Sequence, residues 1–391
     1  EMGNRRVDCK GQQNGISSTH SIGLNDADSL GSKIGVNGSY FFNRADNDNP
    51  QTLQRQYVFS QDSAIHYSEN ARADRKNFNH RVNLRFEYTI DSSNSLIATP
   101  QLYLQDNRSA TIISGINSST GNTLLSQTTS DNPTSTDGYT TQSHIVFRHR
   151  FPTIGRSLSI DIGLGRTRKT SSSTLYSLAS YYFGQSVLVD TIRQQAGILT
   201  NGYSASSNIS YTEPVGSNSL IQISYSPSYS RNTSDNMTYD FDANVQRYSE
   251  LNPGLSSIFD NENVTNNAGI GYRVRIESFN ATVGIAYQIG SLRGDQSFPR
   301  SESVSKMFYT LLPNAMMNFE LPGRQGVRLF YRTSTASPSI SQLQDVVDNT
   351  NPLFLSAGNP DLKQSYTSTL LARLSLAGAD RGQSLLIFLY G

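Results

Sequence analysis

Alternation with period two, interrupted by turn residues at regular intervals, constrains this chain more than any other feature. From Val82 to Ile90 the apolar positions are Val82, Leu84, Phe86, Tyr88 and Ile90, with Asn83, Arg85, Glu87 and Thr89 between them. The same split separates Leu158, Ile160, Ile162 and Leu164 from Ser159, Asp161 and Gly163. It returns in Ala268, Ile270, Tyr272, Val274 and Ile276 against Gly269, Gly271, Arg273 and Arg275, and in Ala281 to Ile289. Successive side chains on a strand point to opposite faces, so each segment predicts a strand with one greasy and one wet side.

The connections alternate as well. Short turns rich in Pro, Gly, Asn or Ser stand at 91–94, 152–156, 214–218, 277–278, 322–325 and 378–382, as tight hairpins require. Between them lie long polar stretches at 46–74, 109–137, 173–198, 233–261, 293–305 and 337–364, read as loops. Short turns on one side and long excursions on the other are the pattern of a transmembrane antiparallel up-and-down β-barrel, with the short turns periplasmic. This reading gives about fourteen strands. Several exceed the roughly 9–11 residues needed to span a bilayer, so the ribbon continues beyond the outer surface.

Composition excludes several alternatives. The 32 basic and 31 acidic residues leave a formal charge of +1, so no global field recruits nucleic acid. Charged residues are only 16%, whereas 21 Tyr and 17 Phe suit strands and an interfacial aromatic girdle. The single cysteine rules out an internal disulfide. His20, His66, His80, His144 and His149 are scattered without metal-ligand spacing, and the chain has neither a Gly-x-Ser-x-Gly elbow nor a phosphate-binding Gly-rich loop. The expectation is therefore no enzyme, no cofactor and no metal. Gly163-x-Gly165 and Gly269-x-Gly271 sit inside strands, where they read as close strand packing.

A motif near the end adds a resemblance. Gly358-Asn359-Pro360-Asp361-Leu362-Lys363-Gln364-Ser365-Tyr366, running into the strand-like Thr367 to Leu376, resembles the turn-and-strand signature of TonB-dependent receptors. The likeness is strongest to the Bacteroidetes-type outer-membrane barrels. The segment from Pro338 to Asp345 and on to Asn351-Pro352-Leu353 resembles the extracellular stretch that precedes this signature; after the lysine the family continues with Pro-Glu, where this chain has Gln364-Ser365. The resemblance implies a slice of a 22-strand barrel, covering 1–391, with signal peptide, N-terminal plug and final strands outside the sequence. It implies location in the bacterial outer membrane and active uptake of a scarce solute. Partners would be outer-membrane lipid and lipopolysaccharide, the chain's own plug, the TonB complex acting through that plug, and a surface lipoprotein. Two alternatives stand beside it: a plugless porin-like or assembly barrel, and a secreted β-rich adhesin or glycan-binding protein.

Candidate site residues follow from strand direction. Arg85, Arg148, Arg150, Arg273, Arg275, Arg328, Arg332 and Arg373 fall on the wet face near short turns. A basic belt in the lower lumen is placed to dock a plug through bidentate contacts, to guide an anionic solute, or simply to hydrate a wide channel. Arg166 and Arg168 instead continue the apolar register of Leu158 to Leu164 past the expected outer interface, to meet lipopolysaccharide phosphates or simply as exposed basic residues that cost little above the apolar band. Tyr176, Tyr181, Tyr182 and Phe183, with Tyr239, Phe241 and Tyr248, are candidate loop contacts for a solute, or pins that fold a long loop.

Overall fold

The computed structural model describes residues 15–60, 63–321, 325–338, 342, 359, 362–378 and 383–391. Fifteen strands form one antiparallel sheet: β1 (Ile16–Leu30), β2 (Ile34–Ser60), β3 (Ser63–Thr89), β4 (Asn94–Ser119), β5 (Leu124–Arg150), β6 (Ser157–Phe183), β7 (Ser186–Pro214), β8 (Ser219–Asp242), β9 (Arg247–Leu251), β10 (Ser257–Ile276), β11 (Phe279–Phe298), β12 (Glu302–Leu321), β13 (Gln325–Ala336), β14 (Ser365–Gly378) and β15 (Gln383–Tyr390). Each strand pairs with its sequence neighbour, except that β9 attaches to the far end of β8 while β10 continues the path. In effect β9 and β10 are one strand broken at 252–256. The buried Ser256 hydroxyl repairs the break, accepting the Thr238 amide at 2.9 Å and donating to the Asn252 carbonyl at 2.7 Å. The meander is thus fourteen strands wide, as the alternation predicts. Apart from Gln342, whose backbone is helical, the described residues hold no helix.

The segments read as loops are mostly ribbon. β2 to β7 run 26 to 29 residues each, so 109–137 and 173–198 are paired strand nearly to their tips. Of the outer connections, only that between β13 and β14 is long, and most of it lies outside the described residues. Among the described residues β1 and β15 each pair on one side only, and the sheet they bound does not close on itself.

The single sheet has almost no core. Ala64, Ala281 and Leu292 are the only buried apolar residues among those described, whereas Ile162, Ile223, Ile270, Leu311 and many others are exposed. A β-rich soluble adhesin would bury these side chains between two stacked sheets. The one-sheet path provides no second layer, and that alternative is corrected accordingly.

Strand tilt follows from register. One lateral row of partners runs Leu96, Phe147, Ile160, Ile209, Tyr225, Ala268, Tyr287, Leu311. Leu96 stands two residues above the turn end of β4, and Leu311 ten above that of β12, a climb of eight residues over seven strand steps. At 3.3 Å per residue and 4.8 Å per strand this is a tilt of about 38°, inside the range that closed barrels require.

Candidate functional site

The register gives every strand an apolar and a polar face, and the two carry different machinery. On the apolar face, Tyr88, Phe147, Tyr211, Phe279 and Phe319 lie within three residues of the turn ends, the last two with ring centroids 4.6 Å apart. Tyr139, Tyr203, Tyr229, Tyr309 and Tyr366 lie ten to twelve residues up. At this tilt the two aromatic rows are about 23 Å apart, close to the roughly 25 Å height of the lipid-facing band of an outer-membrane barrel. From β2 to β14 the apolar face has no charged residue between the second and eighth positions above the turn ends. The edge strand β1 departs from this, with Asp26 and Asp28 on that side.

Charge returns abruptly above the upper aromatic row, mostly as closed pairs. Arg44 with Asp46, Arg72 with Asp48, Arg108 with Asp106, Arg231 with Asp260 and Arg293 with Asp295 all occupy the apolar-face side there. Arg166 and Arg168 stand nine and eleven residues up β6 with no carboxylate in salt-bridge range among the described residues. The Arg166 guanidinium lies 5.3 Å from the Tyr203 ring centre and 6.0 Å from that of Tyr139.

The polar face carries the predicted arginine belt. Arg85, Arg148, Arg150, Arg273, Arg275, Arg328, Arg332 and Arg373 all share it, and all lie within seven residues of the turn ends. Only Arg85 has a carboxylate partner among the described residues, Glu87 on the same strand. One lateral row reads Arg275, Asn280, Asn318, Arg328, Arg373. Within it Arg328 donates to the Asn318 side-chain oxygen at 3.0 Å and Arg373 sits 5.7 Å from the Phe388 ring centre, while Arg328 and Arg373 stand directly opposite each other. Like charges in that position destabilise a bare sheet.

Residues 149–383 match the sequence profile described as the outer membrane protein beta-barrel family. The chain belongs to that family. Solved structures similar to this barrel include the outer membrane transporter YddB from Escherichia coli, with 8% identity, 95% of this chain and 71% of that chain covered, and a TM-score of 0.27. The ferric yersiniabactin uptake receptor FyuA from Yersinia pestis has 9% identity, 96% and 73% coverage, and a TM-score of 0.24. BauA, the ferric preacinetobactin receptor from Acinetobacter baumannii, has 8% identity, 96% and 74% coverage, and a TM-score of 0.24. No curated protein sequence matches the chain. The family assignment rests on the sequence profile.

In a bacterial outer-membrane barrel the apolar face meets lipid, the polar face lines the lumen, and the short turns are periplasmic. The eight arginines therefore stand on the lumen side near the periplasmic ends of β3, β5, β10, β13 and β14. The predicted aromatic contacts are not brought onto one surface. Tyr181 and Phe183 share the lumen side at the tip of the β6–β7 ribbon, whereas Tyr182, Tyr239 and Phe241 take the opposite side. Arg193 stacks 3.3 Å from the Phe241 ring centre, and Phe241 meets Tyr248 edge-on at 5.3 Å, so these rings pin the ribbon.

Of the signature, Gly358, Pro360 and Asp361 lie outside the described residues, and Asn359 and Lys363 are exposed. Leu362 packs on buried Leu292 beside Val304 and Phe308, all three on the lumen face of β11 and β12. Next to it, Gln364 accepts from Thr310 at 3.2 Å and donates to Ser337 at 3.4 Å. Sequence reasoning missed this anchor, because Leu362 and Leu292 are 70 positions apart and the only hint of a partner was the apolar trio Leu292, Val304 and Phe308 in a lumen-facing register.

Proposed function

We propose that this barrel is the wall of a TonB-dependent receptor, which takes up a scarce solute after capture at the cell surface. Energy would reach it through a plug driven by an inner-membrane complex. The reading is of transport without a catalytic step. One observation carries it: Arg328 and Arg373 stand directly opposite each other on the lumen face near the periplasmic end, with Arg275 three strands along the same lateral row, and none of the three has a carboxylate in salt-bridge range among the described residues. Unneutralised arginines set in a row are stabilised by an opposing acidic surface, and their forked geometry favours carboxylates held in fixed positions. A plug seated in the lower lumen supplies such a surface. The resemblance of Asn359 to Tyr366 to the receptor signature points the same way. Tyr181 and Phe183, on the lumen side of the ribbon tip, are the proposed solute contacts.

The test is glutamine at Arg273, Arg275, Arg328 and Arg373 in the full-length protein. Loosening of the plug predicts greater passive leakage of bulky antibiotics together with weaker energised uptake. Wild-type leakage and wild-type uptake in that variant overturn the docking role. Uptake that persists without the inner-membrane complex overturns the receptor reading and leaves a passive porin.

A further inference from the structure

We propose that Arg166 and Arg168 form a binding site for the phosphate groups of the phosphorylated glycolipid in the outer leaflet. The proposal starts from height. Both side chains lie on the lipid-facing side of β6, nine and eleven residues above its periplasmic end, level with the upper tyrosine row formed by Tyr139, Tyr203 and Tyr229. Aromatic rows of this kind mark the boundary between acyl chains and headgroups. Side chains at that level meet neither lipid tails nor open water but the headgroup layer, where phosphates are concentrated.

Charge state is the second support. On other strands the outward arginines Arg44, Arg108, Arg231 and Arg293 are each paired with a carboxylate of this chain, and Lys76, which closes no pair among the described residues, stands opposite Asp46. Arg166 and Arg168 have none in salt-bridge range among the described residues, although both are exposed. The nearest outward carboxylate on β5, Asp137, stands opposite Thr170 rather than opposite either arginine. An exposed guanidinium pair beside lipid lacks a counter-ion within the protein, and an anionic headgroup supplies one.

Shape is the third. In register, Arg166 is flanked by Thr141 and Tyr203, and Arg168 by Tyr139 and Asn201. The Arg166 guanidinium lies near both tyrosine rings, at 5.3 and 6.0 Å from their centres. Stacking restrains the cation while leaving its N–H edge available, which is the geometry used for bidentate phosphate recognition. Asn201 adds a neutral donor at the margin, whereas the Thr141 hydroxyl is held by the Gln101 carbonyl at 3.1 Å. The two arginines are separated by one intervening residue on the same face, about 6.6 Å along the strand, which suits two oxygens of one phosphate or two phosphates of one headgroup.

The experiment measures the glycolipid retained by the full-length protein after extraction from outer membranes and extensive detergent washing, by mass spectrometry. The wild type is compared with the Arg166→Gln/Arg168→Gln double variant and with Arg166→Lys/Arg168→Lys. Retention is expected to fall about tenfold in the glutamine variant and to recover partly with lysine. In a second arm, needing no variant, delipidated wild-type protein is offered intact or enzymatically dephosphorylated glycolipid, and inorganic phosphate as competitor. Preference for the intact lipid, resistant to millimolar phosphate, supports the site. Equal binding of the two lipids, displacement by inorganic phosphate alone, or undiminished retention in a correctly folded glutamine variant overturns it.

Discussion

At the scale of single residues the periplasmic turns are locked by carboxylates. Glu213 accepts from Arg156 Nε at 2.8 Å and from Nη2 at 2.5 Å, and from the Tyr211 hydroxyl. Arg156 first, and Tyr211 second, hold the Glu213 carboxyl below its ordinary range. Asp91 likewise accepts the Asn94 side chain and the amides of Ser93 and Asn94, which lower its pKa. A carboxyl depressed on folding stabilises the fold while pH stays above its unfolded value, about 4.3 for glutamate and about 3.9 for aspartate, and the benefit is lost as pH falls further through the depressed value. Unfolding midpoints followed from pH 7 to pH 3 should therefore drop in the wild type, and Glu213→Gln should flatten part of that acid limb. An identical acid limb in the variant counts against the turn lock. The arginine belt was legible in the sequence because strand parity alone assigns a face. The Arg156–Glu213 pair was not, because its members are 57 positions apart and meet only when β6 and β7 align.

At the scale of strands, legibility depended on the solvent. Where lipid meets one face, alternation is sharp, and β6, β10 and β11 were found from Leu158, Ile270 and Ala281 onward. Above the bilayer both faces are wet, and the period disappears. Ser126-Gln127-Thr128-Thr129-Ser130-Asp131 shows no alternation, yet it pairs residue by residue with Asn117 to Ile112. Polar composition was thus mistaken for loop, although Thr-rich ribbon is compatible with strand. The same contrast predicts an asymmetry between positions of opposite parity on one strand. Ile270→Arg, six residues up β10 between its partners Ile223 and Ile285, should cost about 2–4 kcal/mol in the bilayer. Asn267→Arg, on the lumen face of the same strand, should cost far less. Equilibrium folding into lipid vesicles separates the two, and equal penalties would contradict the assignment of faces.

At the scale of the whole molecule, stability comes from the surroundings rather than from a core, since the described residues bury only three apolar side chains. Hydrogen bonding along the meander and contact with lipid take that role. The full-length protein should accordingly migrate faster on a denaturing gel before boiling than after, and should precipitate when detergent is withdrawn. A soluble monomer without heat-dependent migration would be incompatible with a lipid-facing wall. One consequence concerns the rim. β2 to β7 have 26 to 29 residues, β8, whose far end carries β9, has 24, and β11 and β12 have 20. With periplasmic ends level and the same tilt, the described ribbon drops by about 18 Å from β5 and β6 to β11 and β12. A bulky cargo drifting over the cell would meet a cliff where β2 to β7 stand and a lower sill over β11 and β12, so along this described arc its approach is uneven.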